Sequence, residues 1–420
     1  MSASGVPRPV TPPSVTVGAR LRILWTPRRA VLWLVAAAVA SWLPLLGMPA
    51  RRWLDFDSFY VAGKFAFQPQ ILDVRPILEY QLAHGLPLTP FLYPPAVALA
   101  YVPFTWLPYD AAAALHVAIQ FAVLVAAVLL GARAYGLRRR WALLGALAWS
   151  PAAAAVVSGQ NSAVLLLLAM ATAAGLSRPR GRLAGLAVGL ATYRPQQGLP
   201  LGALAAWRGA WRAVAIGLTV VVLQYILGVV ASGGTVDWPL RWLSSISAET
   251  GEDFRSVGWQ ALSLPGLLGR LSFDGSQPGS LFGPALLGYA VGAVVILWSL
   301  RPLRSWDASR AVALACALTL FAGPRGWSYD GTLLLPAVAV VARDAGDRGW
   351  PWQRRWLLAA AYGLALLWPL GGIVGFNPEA LVVLAAPFVL LRMGRDGQPI
   401  AAVSVAAPVT SGTAEPVGPR

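Results

Sequence analysis

The residues best placed to do chemistry are two acids, Asp55 and Asp57, in the run Trp53-Leu54-Asp55-Phe56-Asp57-Ser58-Phe59-Tyr60, directly after the first long apolar stretch. Only 17 of 420 residues are acidic, and a carboxylate at the mouth of an apolar helix bundle is costly enough to mark function. Such a group can take the proton of a hydroxyl that comes within hydrogen-bond reach. Other polar residues interrupt later apolar stretches: Tyr93, Gln160, Asn161, Arg194, Gln196, Arg325, Tyr329 and Asp330. The arginines offer permanent charge and a donor fork that matches phosphate. One base with one or two arginines at a membrane face suits the departure of a lipid phosphate. Plainer readings stand beside this one. Asp55 could pair with Arg51 or Arg52, and Asp57, two residues on, points away from Asp55 in either helix or strand. Gln160 and Asn161 could cap a helix starting near Ser162. Arg325 could snorkel to headgroups, and Tyr329-Asp330 could be an interface anchor beside a loop acid. Arg194 lies inside an apolar stretch, where a charge calls for a partner or a task.

The elements that must hold these groups are membrane helices. The chain is 57% hydrophobic and 12% charged, against about 25% charged in soluble domains. Its apolar runs approach the 18–20 residues that cross a bilayer. The net charge of +16 is carried by arginine, Lys64 being the single lysine. The arginines fall in small clusters between apolar runs, the pattern of cytoplasmic loops rather than of a nucleic-acid surface. Cys316 stands alone inside an apolar run, which excludes a disulfide framework and a thiolate metal site. His84 and His116 show no zinc spacing and read as structural. There is no phosphate-binding Gly-rich loop, dinucleotide fingerprint, nucleophile elbow or zinc-protease helix, and neither metal nor cofactor is expected.

The expected fold is all-α, a polytopic transmembrane bundle of about 10 to 12 spans. Arg28 and Arg29 precede an apolar run from Ala30 to Met48 that reads as an uncleaved first span, with the N-terminus cytoplasmic and Asp55 outside. Further spans are expected near 111–132, 141–157, 162–176, 213–231, 281–300, 311–323, 329–342, 356–374 and 379–391. Residues 94–108 are short and bracketed by prolines, and 183–206 are interrupted at Arg194-Pro195. Both read as re-entrant pieces or half-helices, tolerated only where they line a cavity. The domain expectation is a disordered cytoplasmic segment 1–27, a membrane domain 28–394, and a disordered tail 395–420. The domain's outer loops, 49–92 and 232–280, should carry short surface helices.

Five motifs occur in order: Asp55-Phe56-x-x-Phe59-Tyr60-x-Ala62-Gly63, Phe91-Leu92-Tyr93-Pro94-Pro95, Gly159-Gln160-Asn161, Arg194-Pro195-Gln196, and Gly323-Pro324 through Tyr329-Asp330 to Leu333-Leu334-Leu335-Pro336. Together they resemble glycosyltransferase family 87, over about residues 30–392. The resemblance implies a GT-C type integral-membrane enzyme of the plasma membrane, working on the extracytoplasmic side without a metal. Its implied partners are a polyprenyl-phosphate-linked sugar donor, most often of mannose, a lipid or glycan acceptor, and membrane lipids. It further implies direct inverting displacement, with Asp55 as base and Arg194 and Arg325 on the phosphate. Family members acting on phosphatidylinositol mannosides often carry Ser-Trp-x-His. This chain reads Gly326-Trp327-Ser328-Tyr329-Asp330, without histidine, so the resemblance assigns no acceptor. Two alternatives remain at this level. One is another GT-C enzyme, a protein or lipid-A sugar transferase, which the paired acids Asp55 and Asp57 would suit. The other is a lipid or oligosaccharide flippase, for which the break at Pro195 lacks a mate in the second half.

Overall fold

The computed structural model describes residues 27–46, 55–178, 181–246, 258–271, 283–324 and 326–395. Every regular element among them is helical. Three helices, Tyr109–Ala134, Trp211–Ala231 and Pro284–Ser305, are long and apolar enough to cross a membrane, and two bent pairs raise this to five. The apolar helices Ser162–Leu176, Arg182–Ala191 and Ala308–Ala322 are shorter. The expected class therefore holds, while among the described residues three to five helices meet the length criterion, against the 10 to 12 spans expected of the chain. The expected span 141–157 is one of the bent pairs, Arg139–Leu147 and Ser150–Val157, angled by 67°. The bend falls at Trp149-Ser150-Pro151, where proline removes a backbone donor.

The two interrupted segments are broken as their prolines dictate. Residues 94–108 form only a single helical turn, Ala96–Leu99, and the 3-10 turn Val102–Trp106. Residues 183–206 fall into the helices Arg182–Ala191 and Pro195–Trp207. Arg194, the residue before Pro195, is driven out of helical geometry (φ −119°, ψ 85°), as a following proline requires. The segment expected as the first outer loop, 49–92, contains in its described part the helices Phe56–Phe65 and Val74–Ala83, joined by the 3-10 turn Pro69–Leu72. The later outer loop holds a helix over 238–246 and the helix Leu264–Leu271. The ends expected to be disordered lie, apart from residues 27 and 395, outside the described residues, as do Arg51 and Arg52.

Two poles emerge from the way the helices alternate. At one, Arg208 donates through Nη1 to the carbonyls of Leu303 and Trp306, both at 2.8 Å. Arg304 lies over the ring of Trp207, and Ser309 Oγ donates to Ala134 O at 2.8 Å. Arginine donors thus complete the orphan carbonyls at helix C-termini, where the helix dipole favours cations. The opposite pole gathers the starts of Tyr109–Ala134, Ser162–Leu176, Pro195–Trp207 and Glu379–Arg395. The candidate residues sit there. Between the poles runs a core of small and branched side chains, among them Ala169, Ala173, Ala187, Ala313 and Ala317, all fully buried or nearly so. A second apolar cluster, around Phe56, Phe59, Tyr101 and Ile77, ties the outer-loop helices to the bundle.

Candidate active site

Asp55 precedes the helix Phe56–Phe65 as its N-cap residue and is half-buried. Its backbone N–H donates to Ser158 O at 2.9 Å, which docks the outer loop onto the turn Ser158-Gly159-Gln160-Asn161. That turn is built closely. Gly159 adopts φ +71°, and a Cβ there would stand 2.7 Å from Phe56 Cβ, so both conformation and space call for glycine. His116, buried in the helix Tyr109–Ala134, places Nε2 2.9 Å from Gly159 O and stacks on Phe56. It buttresses the turn from below, in keeping with the structural role read from sequence.

Asp57 faces another way, as the two-residue spacing requires. It is fully buried and accepts a hydrogen bond from the Tyr109 hydroxyl, while its Oδ2 has no hydrogen-bond partner among the described residues. Burial raises its pKa from 3.8 to about 7; the Tyr109 bond opposes that rise and the nearby Asp55 charge adds to it. Asp57 therefore anchors the outer helix to Tyr109 and lies apart from the polar network around Arg194.

That network is the densest polar feature of the pole. Arg194 is buried and pairs through Nη1 with Asp330 Oδ1 at 2.6 Å, with both side chains 5–7% exposed. Its Nη2 donates to Gln160 Oε1 at 2.6 Å, and its Nε to the Tyr93 hydroxyl at 3.2 Å. Nη1 further reaches Ser162 Oγ and Gln197 Oε1, each at 3.4 Å. Tyr93 passes its own proton to Gln160 Oε1 at 2.7 Å. Burial pushes the Tyr93 hydroxyl up to about 12, with the Arg194 charge pulling against it. Asp330 uses its second oxygen to accept from Trp327 N at 3.1 Å. The rings of Tyr93 and Tyr329 flank the guanidinium at 5.3 and 5.8 Å, within cation–π range. Nη2 also donates to the Tyr93 hydroxyl, so all five guanidinium donors are engaged with protein groups. The Asp55 charge acts on Tyr93 and Tyr329, which ties the outer-loop acid to the same locality.

Most of the residues singled out from sequence thus converge: Asp55, Tyr93, Gln160, Asn161, Arg194, Tyr329 and Asp330. Asn161 stands at the N-cap position of Ser162–Leu176 but makes no side-chain cap. Its Oδ1 instead lies 3.3 Å from the Tyr193 hydroxyl and 3.4 Å from that of Tyr93. Gln196 is exposed, and its neighbour Gln197 is the glutamine turned inward. The two follow one another in the first turn of a helix, where successive side chains diverge by about 100°. Arg325 lies outside the described residues.

Sequence reasoning missed Gln197, Ser162, Tyr193 and, above all, Glu379. The Glu379 carboxylate is fully buried, has no hydrogen-bond partner on either oxygen among the described residues, and lies against Gly331, where a Cβ would collide with it. Beside it Asn377 donates from Nδ2 to Ser328 Oγ at 2.8 Å and accepts from Glu379 N at 3.0 Å. The signal was available: Glu379 opens an apolar run, the same property that drew attention to Arg194.

The comparisons with known proteins give the class of this helical membrane protein. The sequence profile of glycosyltransferase family 87 matches residues 91–324, more than half of the chain. The chain belongs to glycosyltransferase family 87, and it is a glycosyltransferase. A curated relative from Mycobacterium tuberculosis (strain ATCC 25618 / H37Rv) is 28% identical over 390 residues, covering 83% of this chain and 82% of its own length. That relative is a polyprenol-phosphate-mannose-dependent alpha-(1-2)-phosphatidylinositol mannoside mannosyltransferase. No solved structure matches the chain at a significant level. The resemblance drawn from the five motifs is borne out, and a flippase is not the class to which the chain belongs.

Proposed function

We propose that this protein transfers mannose from a polyprenyl-phosphate carrier to a hydroxyl of a lipid or glycan acceptor, on the extracytoplasmic face of the plasma membrane. The observation that carries the reading is the convergence, at the pole opposite the arginine-rich one, of Asp55 with the Arg194–Asp330–Gln160–Tyr93 network. The positive-inside rule, applied to the arginine pole, supports an extracytoplasmic position for this site. The relative's dependence on polyprenol-phosphate-mannose supports the donor class. Its phosphatidylinositol mannoside acceptor supports a lipid-borne hydroxyl, although this chain has no histidine in the Trp327 segment.

Asp55, docked on the Ser158–Asn161 turn, is half-buried, whereas Asp57, Asp330 and Glu379 are buried, and the exposed Asp110 stands in the first turn of Tyr109–Ala134. Asp55 is therefore assigned as the base: it is the carboxylate beside the Gln160 turn that is not fully buried. In the proposed step the acceptor hydroxyl gives its proton to Asp55, and its oxygen attacks the anomeric carbon. The bond from that carbon to the phosphate oxygen breaks in the same displacement, inverting the centre and releasing polyprenyl phosphate. Arg194 is assigned to ordering the site: its charge is matched by Asp330, and its donors fix Gln160 and Tyr93. The test is sugar transfer by detergent-purified protein, given radiolabelled polyprenyl-phosphate-mannose and a mixed lipid and glycan extract. Asp55→Asn should lower turnover by about 100-fold or more, the scale of a lost general base, with donor binding kept. Transfer by Asp55→Asn at the wild-type rate would remove Asp55 from the mechanism.

A further inference from the structure

Two tryptophans meet at the site pole, on loops between its helices. Trp259 lies in the 3-10 turn Gly258–Gln260, and Trp368 opens the 3-10 turn Trp368–Leu370 that follows the helix Trp352–Leu366. Their rings are parallel to within 3°, with centroids 6.3 Å apart, and both are half-buried. With the planes at a contact separation of about 3.5 Å, that centroid spacing sets the rings about 5 Å out of register and leaves most of each face outside the overlap. Gly371 makes the pairing possible. A Cβ there would stand 2.8 Å from Trp259 Cε3, so only a bare backbone lets the loop lie against the Trp259 ring.

Both loops are fastened to the segment that carries Tyr329 and Asp330. Leu262, three residues after Trp259, donates its N–H to Gly326 O at 2.8 Å. Asn377, at the end of the other loop, donates to Ser328 Oγ at 2.8 Å. Arg270 donates to Gly375 O and fixes the bend between, where Gly375 adopts φ +71°. Three residues of chain reach at most about 11 Å, so Trp259 stands next to the turn that presents Asp330 to Arg194. The proposed transfer step uses neither ring. The same loop exposes Ile373 (83%) and Val374 (66%), side chains suited to the lipid boundary. Half-buried tryptophans beside them belong at headgroup level.

We propose that Trp259 and Trp368 form a stacking subsite for the sugar rings of a lipid-borne acceptor. The inference deepens the reading given under Proposed function and rests on it. The face of an aromatic ring is negative and attracts the polarised C–H groups that line one face of a pyranose, a contact of the weak hydrogen-bond type. Gln260, half-exposed next to Trp259, supplies an amide for the hydroxyls around the sugar's rim. Substrate composition selects the acceptor. Polyprenyl-phosphate-mannose carries one sugar, and transfer requires that sugar at the reacting position. A sugar ring held beside that position therefore belongs to the acceptor. Ile373 and Val374 select an acceptor anchored in lipid over a free glycan.

The test varies the ring and the acceptor's length. Transfer from polyprenyl-phosphate-mannose to octyl oligomannosides, from mono- to tetramannoside, is compared in wild type, Trp368→Leu and Trp368→Phe; mannosides are chosen because the relative's acceptor is a phosphatidylinositol mannoside. The expected result in Trp368→Leu is a tetramannoside KM raised about tenfold, the scale of one aromatic contact. The donor KM and the rate on the monomannoside should stay within about twofold of wild type, which also shows that the variant folds. Trp368→Phe, which keeps an aromatic face, should recover most of the loss. An unchanged tetramannoside KM in Trp368→Leu overturns the proposal, and so does a rise equal at every acceptor length, the mark of a membrane anchor. A second arm does not depend on turnover: radiolabelled octyl tetramannoside is bound to the protein in nanodiscs, with empty nanodiscs as blank. Binding weakened about tenfold in Trp368→Leu supports the subsite, and wild-type binding no stronger than the blank overturns it. Equal affinity for methyl tetramannoside overturns the lipid-borne assignment. Binding that depends on Trp368 without sugar transfer would refute the donor reading and keep the subsite. Transfer whose acceptor KM ignores Trp368 would keep the reading and refute the subsite.

Discussion

Breaking the Arg194–Asp330 pair should cost far more than an ordinary ion pair, and the cost should be shared. The two side chains are 5–7% exposed and 2.6 Å apart. With charge centres about 4 Å apart and an effective dielectric of about 20, their attraction is about 4 kcal/mol. Removing one member leaves the other charge buried, which typically costs about 3–5 kcal/mol. Arg194→Met also removes the guanidinium donors to Gln160 Oε1 and to the Tyr93 hydroxyl, which keep their bond to each other. Asp330→Asn is the cleaner partner, because an amide oxygen can still accept from Trp327 N, as Asp330 does now. Each single variant should therefore lose about 3–5 kcal/mol. The double variant, with both charges gone, should lose about 2–3 kcal/mol less than the sum. The assay is equilibrium unfolding of the purified protein in mixed micelles with increasing SDS, completed as a double-mutant cycle. Additivity within about 0.5 kcal/mol would refute the reasoning, since it would mean that neither residue feels the other's loss.

Three further outcomes follow from the geometry. Asp57 has its pKa raised from 3.8 to about 7, so the folded state binds the proton more tightly than the unfolded one. Its contribution is fully present below pH 3.8 and is lost as pH rises through about 7; the pH dependence of the unfolding midpoint should show that decline, flattened in Asp57→Asn. Gly159→Ala forces a side chain into φ +71° against Phe56 and should cost about 1–3 kcal/mol, with a drop in turnover because Asp55 is tied to the same turn; an unchanged melting profile would contradict this. Gln197→Ala should slow transfer by about tenfold, equivalent to about 1.4 kcal/mol for a bond to a charged donor, while Gln196→Ala leaves kcat within twofold. The reverse ranking in steady-state kinetics would mean that the helix beginning at Pro195 has the opposite register.

Much of this protein is legible in its residues because the bilayer narrows the choices. Long apolar runs can only be helices, and arginine clusters between them announce two unlike poles. Prolines announce the breaks: Pro195 ejects Arg194 from helical geometry, and the proline-bracketed segment 94–108 never becomes a long helix. The rule that a charge inside an apolar run needs a partner identified Arg194 without naming the partner. Applied evenly, it would have found Glu379 as well.

Sequence alone determined the helical membrane class, the family, and the short set of polar residues from which a site could be built, since hydropathy and residue chemistry are local properties. Tertiary structure decided how those residues are spent. Asp57 is fully buried against Tyr109 while Asp55 is only half-buried, and Gln197 rather than Gln196 turns inward. Arg194 is matched by an aspartate 136 positions away. Such pairings depend on helix phase and on which helix ends meet, and one slipped residue rotates a helical side chain by about 100°. No local pattern carries that information; only the packed bundle does.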